Sequence, residues 1–232
     1  MYTLHLKSKL SMKSFISKLK HALLDTIFLS YCYICKKEGV SLCDFCLDSI
    51  KKPIDTPYPY ITSLYSFKDV RIKKIIHAIK YFHRKDLLVP IACALANIIQ
   101  DKQSYTKNTY IILPIPMPLL RRYIRGYNHA EALAYELVKR LLSRKLEETT
   151  PDYLVNSTIL TRKISKKRQV LTTSRRERLL NQQGTFRVCG DVHDMHIILL
   201  DDVTTTGATL AEARRMLLSH GAQSIVAYTI AH

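Results

Sequence analysis

The chain has 232 residues, with 36 lysines and arginines against 19 aspartates and glutamates, a formal charge of +17. That length holds one full-sized domain plus a small module. The charge points to polyanionic partners such as nucleic acid, an anionic membrane or phosphorylated ligands, with a generally basic protein as the plain alternative. No apolar run approaches the roughly 18 residues of a membrane helix, the best candidate at 22–33 being broken by Asp25, and no secretory leader pattern is present. A cytoplasmic protein is expected, with contact at the inner face of the cytoplasmic membrane left open.

Residues 1–30 are basic and helix-like. Met12, Ile16, Leu19, Leu23 and Ile27 fall on one stripe, with Lys13, Lys18 and Lys20 around it. Such a helix either packs on the rest of the chain or lies on a membrane surface or nucleic acid. Residues 31–52 hold Cys32, Cys35, Cys43 and Cys46 in a C-x2-C-x7-C-x2-C arrangement. Each C-x2-C pair puts two thiolates on one tight turn, and four thiolates close a tetrahedral zinc shell with no open position, so a structural Zn2+ module is expected. Disulfides are the alternative, disfavoured in a reducing compartment, and an iron–sulfur cluster would use the same ligands. Cys93 and Cys189 stand alone in apolar segments and read as small buried hydrophobes.

Residues 53–60, with Pro53, Pro57 and Pro59, read as a linker to a domain over 61–232. In that domain 61–67 is strand-like, 70–82 and 87–100 are helix-like, and 110–113 is a buried strand closed by Pro114, Pro116 and Pro118. A helix follows at 129–143, then a partly extended stretch at 153–160, a very basic stretch at 161–178 and a strand at 184–189. Strands alternating with helices imply an α/β fold with a parallel sheet.

The most informative run is 197–210, Ile-Ile-Leu-Leu-Asp-Asp-Val-Thr-Thr-Thr-Gly-Ala-Thr-Leu. Four consecutive apolar residues suit a strand buried on both faces. Asp201 and Asp202 then emerge at its carboxyl end, where open α/β sheets bind ligands. The loop Thr204, Thr205, Thr206, Gly207, Ala208, Thr209 leads into a helix predicted over 210–220, and its amides and hydroxyls make an anion site. Carboxylates repel phosphate, so the acids need something neutral or cationic, such as vicinal sugar hydroxyls with a nearby Mg2+. A ribose 5-phosphate satisfies both halves.

This run closely resembles the phosphoribosyl-pyrophosphate (PRPP) signature of type I phosphoribosyltransferases. The resemblance implies that fold, with Asp201 and Asp202 on the ribose 2- and 3-hydroxyls as the candidate catalytic pair, residues 204–209 on the 5-phosphate, and Mg2+ accompanying PRPP. It also implies that the loop Ile115, Pro116, Met117 meets pyrophosphate. Arg121, Arg122 and Arg125 lie close by to supply charge, or else begin a solvated helix or contact nucleic acid. Oxopurine enzymes of this kind carry an acidic general base at the position of Thr205, and a threonine hydroxyl is too weak for that role, so hypoxanthine or guanine transfer is not expected.

Three blocks sharpen the resemblance: the cysteine arrangement ahead of the domain, the stretch from Ile112 to Glu131, and Gln169, Leu171, Arg175, Arg178, Asn181 and Gly184-Thr185-Phe186. Together they are similar to the ComF (ComFC) family of competence proteins over residues 30–232. That resemblance implies a role in uptake and cytoplasmic handling of transforming single-stranded DNA, beside a ComFA-type helicase and DprA. The basic stretch with Arg162, Lys163, Lys166, Lys167, Arg168 and Arg175 takes the place of the superfamily's hood loop, which closes over pyrophosphate or binds a DNA backbone. Tyr123 and Tyr127 either stack on unpaired bases or pack as ordinary core tyrosines. A working phosphoribosyltransferase acting on an unknown acceptor is the alternative function.

Overall fold

The structure, a computed structural model, describes residues 30–54, 56, 58–103, 108–143, 151–163 and 184–232. The predicted helix within 1–30, and Lys166, Lys167, Arg168 and Arg175, lie outside the described residues. The chain divides into two compact units at Leu47 and Asp48.

The first unit is built around its cysteines. Tyr31 and Glu38 form an antiparallel bridge, and the N–H of Cys32 donates to the Lys37 carbonyl at 2.8 Å. Lys36 and Gly39 take positive φ values of 65° and 87°, which the two tight reversals require. A short helix α1, Asp44–Asp48, follows the third cysteine.

The second unit is an α/β domain. Its strands are β1 (Ile61–Tyr65), β2 (Thr109–Pro114), β3 (Asp152–Val155), β4 (Leu160–Arg162), β5 (Phe186–Val188), β6 (His196–Val203) and β7 (Ser224–Ala231). Its helices are α2 (Val70–Tyr81), α3 (Leu88–Gln103), α4 (Leu119–Arg125), α5 (His129–Ser143) and α6 (Ala208–Ser219). Five strands form a sheet in the order β1-β7-β6-β2-β3, and every neighbouring pair is parallel. β4 and β5 pair antiparallel outside it. The stretch expected as partly extended at 153–160 therefore divides between two sheets, and the strand expected at 184–189 belongs to a two-stranded ribbon. β7 carries no sequence expectation, yet it is an interior strand.

The pattern of side chains accounts for these layers. Ile197, Ile198, Leu199 and Leu200 of β6 are all buried, as a strand covered on both faces demands. Ile197 and Leu199 join Leu210, Ala213 and Leu217 of α6 in one core cluster that also takes in Phe186 and Leu160 of the ribbon. The intervening residues point to the other face by strand alternation, and there α5 packs on β2, β3 and β6, with α3 packed on α5. Helix α2 buries Ile72, Ile75, Ile76 and Ile79 at helical spacing. Asp69 caps it, accepting from the Arg71 N–H at 2.9 Å and from the Lys51 N–H at 3.2 Å. In the sheet interior the hydroxyls of Ser63 and Thr229 bond to each other at 2.7 Å, which satisfies both where no water reaches.

Cys189 is exposed and Cys93 half-buried, against the expectation that both are buried. Alternation along the ribbon explains the first: Phe186 turns inward, whereas Arg187 and Cys189 turn outward.

Candidate functional site

Strand order fixes where a ligand can bind. The chain leaves β2 for β3 on one side and leaves β6 for β7 on the other, so the carboxyl ends of β2 and β6 flank a switch point, the usual crevice of an open α/β sheet. Register sets the two loops level there. Pro114 pairs with Leu200, and the Ile115 N–H still donates to the Leu200 carbonyl at 2.9 Å. The residues that follow, Pro116 and Met117 on one side and Asp201 and Asp202 on the other, line a common cavity of about 260 Å³.

The cavity is rich in charge. Arg121 and Arg125 enter it from α4, Arg162 from the ribbon and Lys80 from the last turn of α2. The Lys80 ammonium lies 2.6 Å from Asp202 Oδ2. Burial, then the neighbouring Asp202 carboxylate, push the Asp201 carboxyl up to about 8, although Lys80 and Arg162 pull it down. His129 is buried and begins α5. The Arg125 guanidinium donates to its Nε2 at 2.9 Å, which places the ring proton on Nδ1, an atom with no hydrogen-bond partner among the described residues. Burial, reinforced by Lys80 and Arg125 and opposed by Asp202, lowers His129 to about 4, so it is neutral near pH 7.

Asn128 holds the β2 loop to α5. Its side-chain amide donates to the Ile115 carbonyl, and its oxygen caps the helix at the Ala130 N–H. Behind it, Tyr127 donates its hydroxyl to the Ile79 carbonyl, and the Arg125 guanidinium lies 5.1 Å from the Tyr81 ring centre.

The other expected residues divide. Thr209 lines the cavity at the start of α6. Gly207 adopts φ 74° as the N-cap of that helix, and the Thr206 hydroxyl accepts from the Ala208 N–H at 3.4 Å. Thr204 is buried, with its N–H donating to the Ala231 carbonyl, while Thr205 is exposed. Thr204 and Thr205 face a second cavity, of about 470 Å³, with Ser66 and Phe67 after β1, His232 after β7 and Lys73 of α2. Arg122 points to Glu131 at 3.7 Å and Lys163 is exposed; neither lines the first cavity. Tyr123 is 88% exposed, as a stacking side chain must be, whereas Tyr127 is half-buried behind the cavity.

Lys80, Asn128 and His129 are the polar lining residues to which sequence reasoning gave no role in the site. Lys80 had a signal: it sits four residues after Ile76 on the buried stripe of α2, where a charge is out of place. Asn128 had one too, as a cap residue directly before a helix. His129 reads as part of the apolar face of α5 and offers none.

The four thiol sulfurs of the first unit lie within 4.8 Å of one another, and those of Cys35 and Cys43 are 3.7 Å apart. A tetrahedron with metal–sulfur bonds of about 2.3 Å has edges near that length, so the donor set fits a bound metal ion and not disulfides. Burial alone would raise the Cys32 thiol, but backbone N–H groups of Cys35, Cys43 and Ile34 outweigh it and bring the thiol down to about 6. Burial and the neighbouring thiols push Cys46 up to about 12.

The parallel sheet, the switch-point cavity and the acid pair define a phosphoribosyltransferase-like domain of the type I fold, and residues 125–232 match the phosphoribosyl transferase domain family. The DNA utilization protein YhgH of Salmonella typhimurium is 27% identical over 214 residues, covering 84% of this chain and 86% of that protein. The competence protein ComFC of Bacillus subtilis is 32% identical over 127 residues, covering 54% of this chain and 46% of that protein. The competence protein F of Haemophilus influenzae is 30% identical over 120 residues, covering 52% and 49%. The chain is thus similar to the ComFC and F competence proteins and to the DNA utilization proteins, and it carries a phosphoribosyltransferase-like domain. Among the described residues no helix is long and apolar enough to cross a membrane.

Proposed function

We propose that this protein serves natural competence, acting on transforming single-stranded DNA in the cytoplasm while its switch-point cavity binds PRPP or a related ribose phosphate. The observation that carries the reading is the meeting of an acid pair with Arg121, Arg125 and Arg162 in one crevice beside the Ile115–Pro118 loop. Acids suit the sugar hydroxyls, and guanidinium forks suit the phosphates. The names of the relatives, competence protein and DNA utilization protein, supply the cellular role.

DNA contact falls to the basic faces. Helix α4 presents Tyr123 and the cation Arg122 to solvent, a pairing that suits stacking on unpaired bases and contact with phosphate. The basic stretch with Lys166, Lys167, Arg168 and Arg175 adds charge, and ComFA-type and DprA-type partners follow from the family. The cysteine unit holds zinc as a structural ion.

A second reading, transfer of the phosphoribosyl group to an acceptor with release of pyrophosphate, is favoured by the second cavity, which adjoins the acid loop through Thr204 and Thr205. Thr205 cannot serve as a general base, so that acceptor is not an oxopurine activated at this position.

The deciding experiment is a transformation assay of the Asp201→Ala, Asp202→Ala double variant at matched protein abundance. Loss of transformation is expected. Full transformation would mean the pocket is an inherited scaffold. Pyrophosphate release from PRPP, abolished in the same variant, would establish the second reading.

A further inference from the structure

In a site that takes PRPP, a magnesium ion is the usual means of offsetting pyrophosphate charge, and the acids were expected to lie beside it. The donor set here does not fit one. Magnesium requires oxygen ligands at about 2.0–2.1 Å in near-octahedral order. The Asp202 oxygen that would serve is already in contact with the Lys80 ammonium at 2.6 Å, and the two side chains are only 19% and 16% exposed. A second cation on the same oxygen would lie against the first, with little water to screen the repulsion. The nearby imidazole is also taken, because His129 Nε2 accepts from Arg125. Counting the lining, Lys80, Arg121, Arg125 and Arg162 already exceed the two carboxylates Asp201 and Asp202.

Lys80 is placed by a helix rather than a loop. Ile75, Ile76 and Ile79 anchor the last turns of α2, and its C-cap closes with the Phe82 N–H donating to the Ala78 carbonyl at 2.9 Å. An ammonium carries three donors, so one on Asp202 leaves two for a sugar hydroxyl or phosphate oxygen.

We propose that Lys80 is a built-in counter-ion that takes the place of the divalent cation, so that the cavity binds a ribose phosphate without magnesium. The proposal rests on the ribose-phosphate reading above. It makes Lys80 a binding residue of the site and separates this chain from sites that require a metal-bound ligand.

The test is calorimetric titration of the full chain with PRPP, in EDTA and in magnesium, for wild type, Lys80→Met and Lys80→Arg. Wild-type affinity should differ by less than about threefold between the two buffers, and Lys80→Met should lose tenfold or more in EDTA and recover part of it with magnesium. Lys80→Arg, which keeps the charge, should still bind in EDTA. Wild-type binding that requires magnesium, or Lys80→Met binding in EDTA as tightly as wild type, would overturn the proposal while leaving the ribose-phosphate site standing. PRPP binding in neither buffer would overturn both. The wild-type comparison alone is decisive if Lys80→Met does not fold.

Discussion

The Asn128 side chain joins two elements: its amide donates to the Ile115 carbonyl at 3.1 Å, and its oxygen accepts from the Ala130 N–H at 3.1 Å. One buried residue thus caps α5 and fixes the loop that faces the acid pair. The two roles separate by substitution. Asn128→Ala should lose both, with a stability cost of about 0.5–2 kcal/mol for the cap. Asn128→Ser keeps a capping hydroxyl but is too short to reach Ile115. It should therefore retain most of the stability by urea denaturation, while PRPP affinity falls about tenfold.

Asp201 and Asp69 should give opposite pH signatures. The Asp201 carboxyl is raised to about 8 in the fold from an ordinary 3.8, first by burial and then by Asp202. The folded state holds that proton more tightly than the unfolded one, so Asp201 costs stability increasingly as pH rises from about 4 to 8. Asp201→Asn should therefore raise Tm by about 2–4 °C near pH 8 and leave it unchanged below pH 4. A Tm gain that is flat with pH would exclude this origin.

Asp69 runs the other way. The Arg71 side chain, with the N–H groups of Arg71 and Lys51, outweighs burial and holds this carboxyl well below the usual carboxylate range. Its stabilisation is full above pH 4 and is lost as pH falls below that. Asp69→Ala should destabilise by about 2 kcal/mol at neutral pH and blunt the acid limb of the stability profile.

The cysteine unit predicts one zinc ion per chain by metal analysis of freshly purified protein, with no visible absorbance from an iron–sulfur cluster. Stripping the metal should unfold this unit, because a module so small has little core of its own. Retained near-UV structure after complete chelation would contradict a structural ion.

Single-strand affinity should fall with salt at a log–log slope near −0.7 per phosphate contacted. Reversing charge at Lys166, Lys167 and Arg168 should flatten that slope by about 2 if all three meet phosphates. An unchanged slope would move the DNA contact elsewhere, with Arg122 and Tyr123 on α4 the next to replace.

What could be read from sequence was whatever lies contiguous in it. Ile197 to Asp202 declare a buried strand ending in two acids, and the cysteine spacing declares a four-thiol cluster. What could not be read is what tertiary structure brings together. Lys80 reaches Asp202 across the fold, and His129 reads as one more core residue until Arg125 is seen to bond it. The β4–β5 ribbon was obscured because short apolar runs look the same whether they enter the main sheet or leave it. Ser224–Ala231 carries no chemistry that marks it in the sequence, although it is an interior strand between β1 and β6.

That last strand has a consequence for assembly. Among the described strands β1 bonds to β7 alone, and the buried hydroxyl pair that joins them, Ser63 and Thr229, spans 166 positions. β1 is thus the earliest strand of the sheet in chain order and the one that must wait longest for its neighbour. Until β7 is in place, β1 has no strand to pair with and β6 presents an open edge. Such distant pairing slows folding and exposes sticky edges on the way. The order of synthesis and the order of sheet closure therefore run against each other in this protein.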